Sequence, residues 1–302
     1  MFKKILFFIF LILFFTASLT GCFSSAPKIN SLKLLNKLLV QTDLIILPET
    51  ILINLKKAEL VLKNNIKTIK EYQHKASFGK ASEERKQTIS MIFDNSANLT
   101  ELIKYNENSG IDVKNVLKYD DKGNIIERIC YNADGSMKFK EDIEYKYDNS
   151  SNVTEAKIKN SSDNSSMILS FVYNDKGYLI ERTLYSKDGS IDSKQTYIYA
   201  DNGSLVNVTE YAPNGSIMAK VEYIYNENFF ITEIKRTISS STDKWLYSYD
   251  NSGNVSEENA EIKNKTSITK FKYDDKRLIL QTDFCNIAKE PEIITKYEYE
   301  FF

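Results

Sequence analysis

One histidine, four prolines and three cysteines in 302 residues narrow the chemistry before any pattern is read. His74 stands in a polar stretch without a second histidine or a nucleophile set, so no acid–base pair and no metal-ligating cluster assembles around it. An excess of basic charge is also missing. Lys+Arg 40 against Asp+Glu 41 leaves a net charge of -1, which gives no field to recruit nucleic acid. No stretch is apolar for long enough to cross a bilayer as a helix; the run at 5–15 is far below the roughly 20 residues required. With 19 Tyr and 17 Phe beside so few prolines, the composition favours strands over disordered linker.

What is present begins at the amino end. Lys3 and Lys4 precede the apolar run, which suits a signal-peptide core, and Leu19-Thr20-Gly21-Cys22 follows. This tetrad resembles the lipobox of bacterial lipoproteins. The resemblance implies a signal peptide over 1–21, cleavage before Cys22 and acylation of that residue; an ordinary signal peptide with an incidental cysteine is the alternative. Residues 22–30, with Ser24, Ser25 and Pro27, read as the lipidated Cys and a tether. Several acyl chains hold a protein on a membrane without spanning it. The expected place is therefore the bacterial cell envelope. Phe23 is not the Asp that resembles an inner-membrane retention signal, which favours the outer membrane and leaves the periplasmic or surface side open.

Residues 31–85 form a helical or mixed section. Ile51, Leu55, Ala58, Leu62, Ile66 and Ile69 fall at helical steps after Pro48-Glu49, predicting a helix over about 49–64. A competing strand pattern aligns 65–72 with 124–131, a degenerate first repeat. The polar stretch 74–85, with Gly79, reads as a loop.

From 86 to 302 an aromatic-x-aromatic-Asp/Asn cluster returns about every 26 residues, with its second aromatic at Tyr119, Tyr147, Tyr173, Tyr199, Tyr225, Tyr249, Tyr273 and Tyr299. Asp134-Gly135, Asp188-Gly189 and Asn214-Gly215 are hairpin turns, and Gly123, Gly177, Gly203 and Gly253 fall in the other turn. Each unit is two antiparallel strands, and the array is a meander of about sixteen. An aliphatic column (Leu99, Ile125, Val153, Leu179, Leu205, Ile231, Val255, Ile279) should share one face with the aromatics. Lys118, Lys146, Ser248, Lys272 and Glu298 suggest a wet opposite face, while Val172, Ile198 and Ile224 suggest that its middle is covered as well.

The Tyr-x-Tyr-Asp-x-x-Gly-Asn core, as in Tyr145-Lys146-Tyr147-Asp148 and at 247–254, resembles the YD repeat of the RHS family. Several units depart from it: Tyr225-Asn226-Glu227-Asn228 lacks the Gly, and Arg277 replaces it in another. Large RHS proteins wrap such strands into a shell around a toxin segment, for which this chain is too short. The resemblance implies a mainly β protein, an elongated antiparallel β-hairpin repeat sheet (RHS/YD-like) with a small helical or mixed N-terminal section.

Three features are candidate sites. A second ladder (Glu101, Glu127, Glu155, Glu181, Asn207, Glu233, Glu257, Gln281) is expected on the aromatic face, accepting Tyr hydroxyls or forming an acidic strip. Its members stand about 9.6 Å apart, two strands on, too far to share one metal. The tyrosines Tyr145, Tyr147, Tyr197, Tyr199, Tyr223, Tyr225, Tyr247 and Tyr249 are either an aromatic core or a face on which sugar rings stack. Trp245 reads as packing. Phe301 and Phe302 read as a sticky sheet edge for a partner strand, while Lys296, Glu298 and Glu300 exclude the apolar band of an integral membrane barrel. Cys130 and Cys285, six units apart, are expected to be free, half-buried thiols, since a disulfide would need the sheet to close. No residue set supports an enzyme, a cofactor or a metal. The expected function is a non-catalytic binding or scaffold role toward a protein or cell-wall glycan; the alternative is an immunity-like or remnant partner of an RHS-type toxin system.

Overall fold

The computed structural model describes residues 60–302, which form a helical turn at 60–63 followed by nineteen strands. The signal, lipidation and tether expectations, and most of the predicted 49–64 helix, lie outside these residues. Strand β1 is Ile66–Ser77, β2 the two-residue Lys80–Ala81 and β3 Lys86–Phe93; the sixteen that follow run from β4 (Leu99–Tyr105) to β19 (Pro291–Phe301).

The turns explain why the Asp, Gly and Asn of each unit recur. At 120–124 the Asp120 N–H donates to the Asn124 carbonyl at 2.9 Å, and the Gly123 N–H returns to the Asp120 carbonyl at 3.0 Å. The Asp120 side chain then accepts the N–H groups of Lys122 and Asn124 at 3.0 and 2.7 Å, closing the loop against its own backbone. Gly123 takes φ +79°, a conformation that costs glycine little and other residues more. Where the repeat departs from the pattern the geometry persists: Arg277 sits at φ +67° and Phe229 at φ +60° in the equivalent places.

These turns produce an up-and-down meander in which each strand pairs with its sequence neighbour, and the meander closes. β1 pairs on one side with β3, with Ile69 opposite Met91, and on the other with β19, with Ile69 opposite Tyr299. The result is a closed antiparallel barrel of eighteen strands, with β2 a small hairpin extension of β1. This corrects the elongated-sheet expectation. The eighteenth strand is the degenerate repeat at 65–72, which outcompetes the helical pattern and supplies a strand that both sheet edges can use. Closure also removes the expected edge at the carboxy end, because Phe301 lies opposite Ile66 and the Phe302 N–H donates to the Asn65 carbonyl at 3.0 Å. The 74–85 loop is shorter than expected, since β1 continues to Ser77. His74 is buried in it, with Nδ1 2.8 Å from the Ser82 carbonyl oxygen.

Residues opposite each other on neighbouring strands share a face. One face carries Leu102, Leu117, Ala156, Phe171, Tyr197, Val208, Val221, Tyr223, Ile234, Trp245, Tyr247 and Phe271, all buried. The same burial recurs around the circumference, and the described chain has no layer that could cover the barrel from outside. This face is therefore the interior. Trp245 packs as expected, 6% exposed within the main apolar cluster.

Candidate functional site

The repeat fixes two surfaces, and a β-bulge in each unit decides which residues each receives. In β10 (Leu179–Tyr185), Leu179 stands opposite Tyr173, yet Glu181 stands opposite Val172, so two steps on one strand match one on the other. The extra residue inverts the side-chain alternation. Leu179 stays inside with the aromatics, while Glu181 turns outward. The same shift separates Leu205 from Asn207 opposite β11 (Ile191–Tyr199), and Val255 from Glu257 opposite β15 (Ser241–Tyr249). This corrects the expectation that the Glu ladder shares the aromatic face.

Inside, the tyrosine hydroxyls therefore bond to backbone and not to Glu. Tyr119 donates to the Leu99 carbonyl at 2.6 Å, Tyr173 to Val153 at 3.0 Å, Tyr199 to Leu179 at 3.0 Å and Tyr225 to Leu205 at 2.7 Å. Tyr249 and Tyr299 do the same with Ile231 and Ile279 at 2.6 and 2.8 Å. Each acceptor belongs to the aliphatic column at a bulge, where the ladder is locally disrupted. Tyr145 takes the Ile125 carbonyl at 2.8 Å, and its neighbour Tyr147 donates to Asp120 Oδ2 at 2.9 Å. Burial raises the phenol pKa of Tyr173, Tyr199 and Tyr225, and that of Tyr197 to about 12, so these hydroxyls stay neutral donors.

Of the eight tyrosines weighed as a sugar-stacking face, Tyr197, Tyr223 and Tyr247 are fully buried, while Tyr145, Tyr147, Tyr199, Tyr225 and Tyr249 are half-buried against the same cluster. They share the inner face of the barrel, so the structure brings them together as core. The interior also holds charge. Arg128 and Glu141 are paired across β6 (Ile125–Tyr131) and β7 (Met137–Tyr147), Nε to Oε2 at 2.8 Å. Glu210 has its pKa raised by burial, partly offset by the positive charges of Arg236 and Arg182. Cys130 and Cys285 are free and more deeply buried than expected, and that burial lifts both thiol pKa values. Although the sheet closes, they do not pair.

Outside, the Glu ladder meets lysines. Lys118 and Lys140 both contact Glu127, at 2.7 and 2.9 Å; Lys146 meets Glu155 at 2.8 Å and Lys194 meets Glu181 at 2.5 Å. Lys289 lies 3.0 Å from Glu257. Such exposed pairs contribute little stability individually but keep the surface hydrated. They also interrupt any band that could face hydrocarbon, where charged side chains are costly. No helix among the described residues is long and apolar enough to cross a membrane, and no group of His, Cys, Asp or Glu among them could hold a metal ion.

One sector of the outer face differs. Val172 on β9 (Ser166–Tyr173), Ile198 on β11, Ile224 on β13 (Ile217–Tyr225) and Leu246 on β15 are 46, 55, 37 and 47% exposed. They stand opposite Glu181, Asn207 and Glu233, with Leu246 also facing Asn259. The sequence led to the expectation that this region was covered on both sides; the described residues leave it open. The signal that marks Val172, Ile198 and Ile224 is the middle residue of the aromatic-x-aromatic triplet, apolar in these units and charged in most others, whereas Leu246 stands one place ahead of its triplet, Tyr247-Ser248-Tyr249.

No family model and no curated protein matches the sequence. Among solved structures the chain is similar to a porin-like protein from Bacteroides uniformis, at 12% identity and a TM-score of 0.42, covering 78% of this chain and 98% of that one. It is also similar to a porin-like protein from Bacteroides vulgatus, at 9% identity and a TM-score of 0.36, over 78% and 99% of the two chains. A third similar structure is the TcdB2-TccC3-TEV complex, at 10% identity and a TM-score of 0.38, where 75% of this chain matches only 14% of that one.

Proposed function

We propose that the protein is a lipid-anchored envelope protein, held through Cys22, whose RHS-like repeat barrel acts without catalysis by docking a protein partner on its outer face. The observation that carries this reading is the strip of Val172, Ile198, Ile224 and Leu246. Scattered exposed apolar residues are ordinary on a protein surface. Here four of them lie on alternate strands from β9 to β15 of an outer face that also carries Lys–Glu pairs, and they extend across seven strands, about 29 Å at ~4.8 Å per strand. Apolar groups rimmed by Glu and Asn suit the centre and rim of a protein–protein interface better than the polar face of a glycan. The ion pairs around the strip keep the barrel hydrated while leaving this sector the easiest to desolvate.

Two measurements test the reading. Palmitate labelling and membrane fractionation of the wild type and Cys22→Ser should show label and membrane retention only in the former; an equally retained Cys22→Ser chain would defeat the anchor. A photo-crosslinking side chain at Ile198, in intact cells, should give a discrete protein adduct that disappears with Ile224→Glu. Adducts unchanged by Ile224→Glu, or retention on purified cell-wall sacculi that Ile224→Glu abolishes, would replace the protein partner with non-specific contact or with glycan.

A further inference from the structure

The hairpin between β8 (Val153–Asn160) and β9, at the barrel end opposite the aromatic-Asp turns, departs from the repeat by an insertion. In the turns at 132–136, 186–190 and 212–216 the first N–H donates to the carbonyl four places on, with Gly135, Gly189 and Gly215 at φ +80 to +81°. Here the Asn160 N–H reaches the Ser165 carbonyl, five places on, at 2.9 Å, and Asn164 takes the left-handed position at φ +53°. Asn tolerates that conformation better than most residues. The longer loop is held against β7. The Ser161 N–H and Oγ donate to the Lys140 carbonyl at 2.9 and 3.1 Å, and Ser162 Oγ donates to the Lys138 carbonyl at 3.2 Å.

Between this loop and the outward side chains of β7 and β8 lies a pocket of about 300 Å³. Every residue lining it is polar or charged, among them Asp142, Lys157, Lys159, Ser161, Asn164 and Ser166. Asp142 stands opposite Glu127 of the outer ladder and opposite Lys159, and Ser166 stands opposite Lys159, so the pocket opens on the outer face. Ligand pockets are ordinarily apolar with a few polar groups. A wholly polar one exchanges its water without loss only for a ligand that is polar on all sides. At ~30 Å³ for each water the space holds about ten, the bulk of one substituted sugar ring.

The charges on the wall give the ligand a sign. Lys159 Nζ is taken by Glu144 Oε1 at 2.6 Å, and Asp142 Oδ1 by Lys140 Nζ at 3.0 Å. Lys157 differs from both. It is half-buried, and among the described residues no carboxylate oxygen lies within 4.0 Å of its amine; Glu144, directly opposite and within its electrostatic reach, is bonded to Lys159 instead. The side chains of Asn164 and Ser166 are also without a hydrogen-bond partner among the described residues. One positive charge, one amide and one hydroxyl therefore face the same small space with their bonding capacity unspent.

We propose that this pocket binds an anionic monosaccharide, a sugar acid or sugar phosphate, with Lys157 Nζ holding the acidic group and Asn164 and Ser166 bonding ring hydroxyls. The lysine selects for charge, and the uncharged groups beside it select for a hydroxylated body over a bare anion. The site stands apart from the anchor at Cys22 and from the outer strip, and depends on neither.

The test titrates the full mature chain, in about 0.15 M salt, with glucuronate, glucose 6-phosphate, glucose and acetate by isothermal calorimetry. Glucuronate, glucose 6-phosphate or both should saturate one site, the tighter of the two naming the acidic group, with glucose and acetate weaker by about tenfold or more. Lys157→Met and Asn164→Asp, with circular dichroism unchanged, should each weaken binding by about tenfold or more. Asn164 lies in an exposed loop, so its variant decides the matter where Lys157→Met misfolds. Lys244→Met is the control, a half-buried lysine on β15 outside the pocket, and should leave binding unchanged. The proposal is overturned if neither anion saturates below about 10 mM, if acetate or glucose binds as tightly as they do, or if the pocket variants bind like wild type. Equal losses in Lys157→Met and Lys244→Met would also overturn it, as attraction to surface lysines at large.

Discussion

If the inner face is a dry interior, the Arg128–Glu141 pair should respond to mutation as a buried ion pair. The two residues are directly opposite on β6 and β7, 7 and 8% exposed, with Nε and Nη2 at 2.8 and 2.6 Å from Glu141 Oε2 and the Phe139 ring centroid 5.2 Å from the guanidinium carbon. At an effective dielectric constant near 20, two unit charges about 4 Å apart attract by roughly 4 kcal/mol. Removing each ion from water costs several kcal/mol in return, so the pair is close to neutral against a well-packed apolar replacement. Removing one partner is different, because it strands the other charge. Glu141→Gln and Arg128→Met should each destabilise by about 3–5 kcal/mol, whereas Arg128→Met/Glu141→Leu should return to within about 1 kcal/mol of wild type or exceed it. Urea denaturation of the four proteins, with midpoints compared at a common slope, gives the coupling energy of the cycle. Single substitutions costing under about 1 kcal/mol and adding in the double would be the behaviour of a solvent-exposed pair. That result would refute the assignment of this face to the interior.

Three further outcomes follow from the same geometry. Tyr225→Phe removes the 2.7 Å bond to the Leu205 carbonyl and should cost about 0.5–1.5 kcal/mol in urea midpoint stability, whereas Tyr273→Phe, whose hydroxyl is buried without a partner, should be neutral or stabilising. Arg277→Gly relieves a left-handed conformation at φ +67° and should raise the thermal midpoint by an amount equivalent to about 1 kcal/mol. Glu210 has a raised carboxyl pKa through burial, opposed by Arg236 and Arg182, so between its unfolded value near 4.5 and its folded value the native state holds more protons than the unfolded state. Its contribution is complete below the unfolded value and is lost as pH rises through the folded one; Glu210→Gln should therefore match wild type in acid and exceed its thermal midpoint at pH 7, and an unchanged difference across that range would contradict the burial effect.

The repeat units were legible because local chemistry sets them. Asp120 closes its turn with its own carboxylate and Gly123 supplies the positive φ, and neither needs the rest of the chain. The aliphatic and aromatic columns were legible for the same reason, as period-two patterns beside those turns. What escaped the sequence depends on single insertions and on distant partners. One bulge residue after Leu179 moves Glu181 from the aromatic face to the lysine face, and a strict alternation cannot show it because a bulge has no residue type of its own at this site. Closure escaped because β1 carries two patterns at once: Ile66 and Ile69 continue a helical stripe, yet 65–72 also aligns with a repeat strand. The helical reading loses once two unpaired edges, β3 and β19, can each bond to the same segment, a gain spread along the whole of β1 that no local window contains. The buried interior is a consequence of that closure, so the location of the tyrosines became readable only after the eighteenth strand was placed.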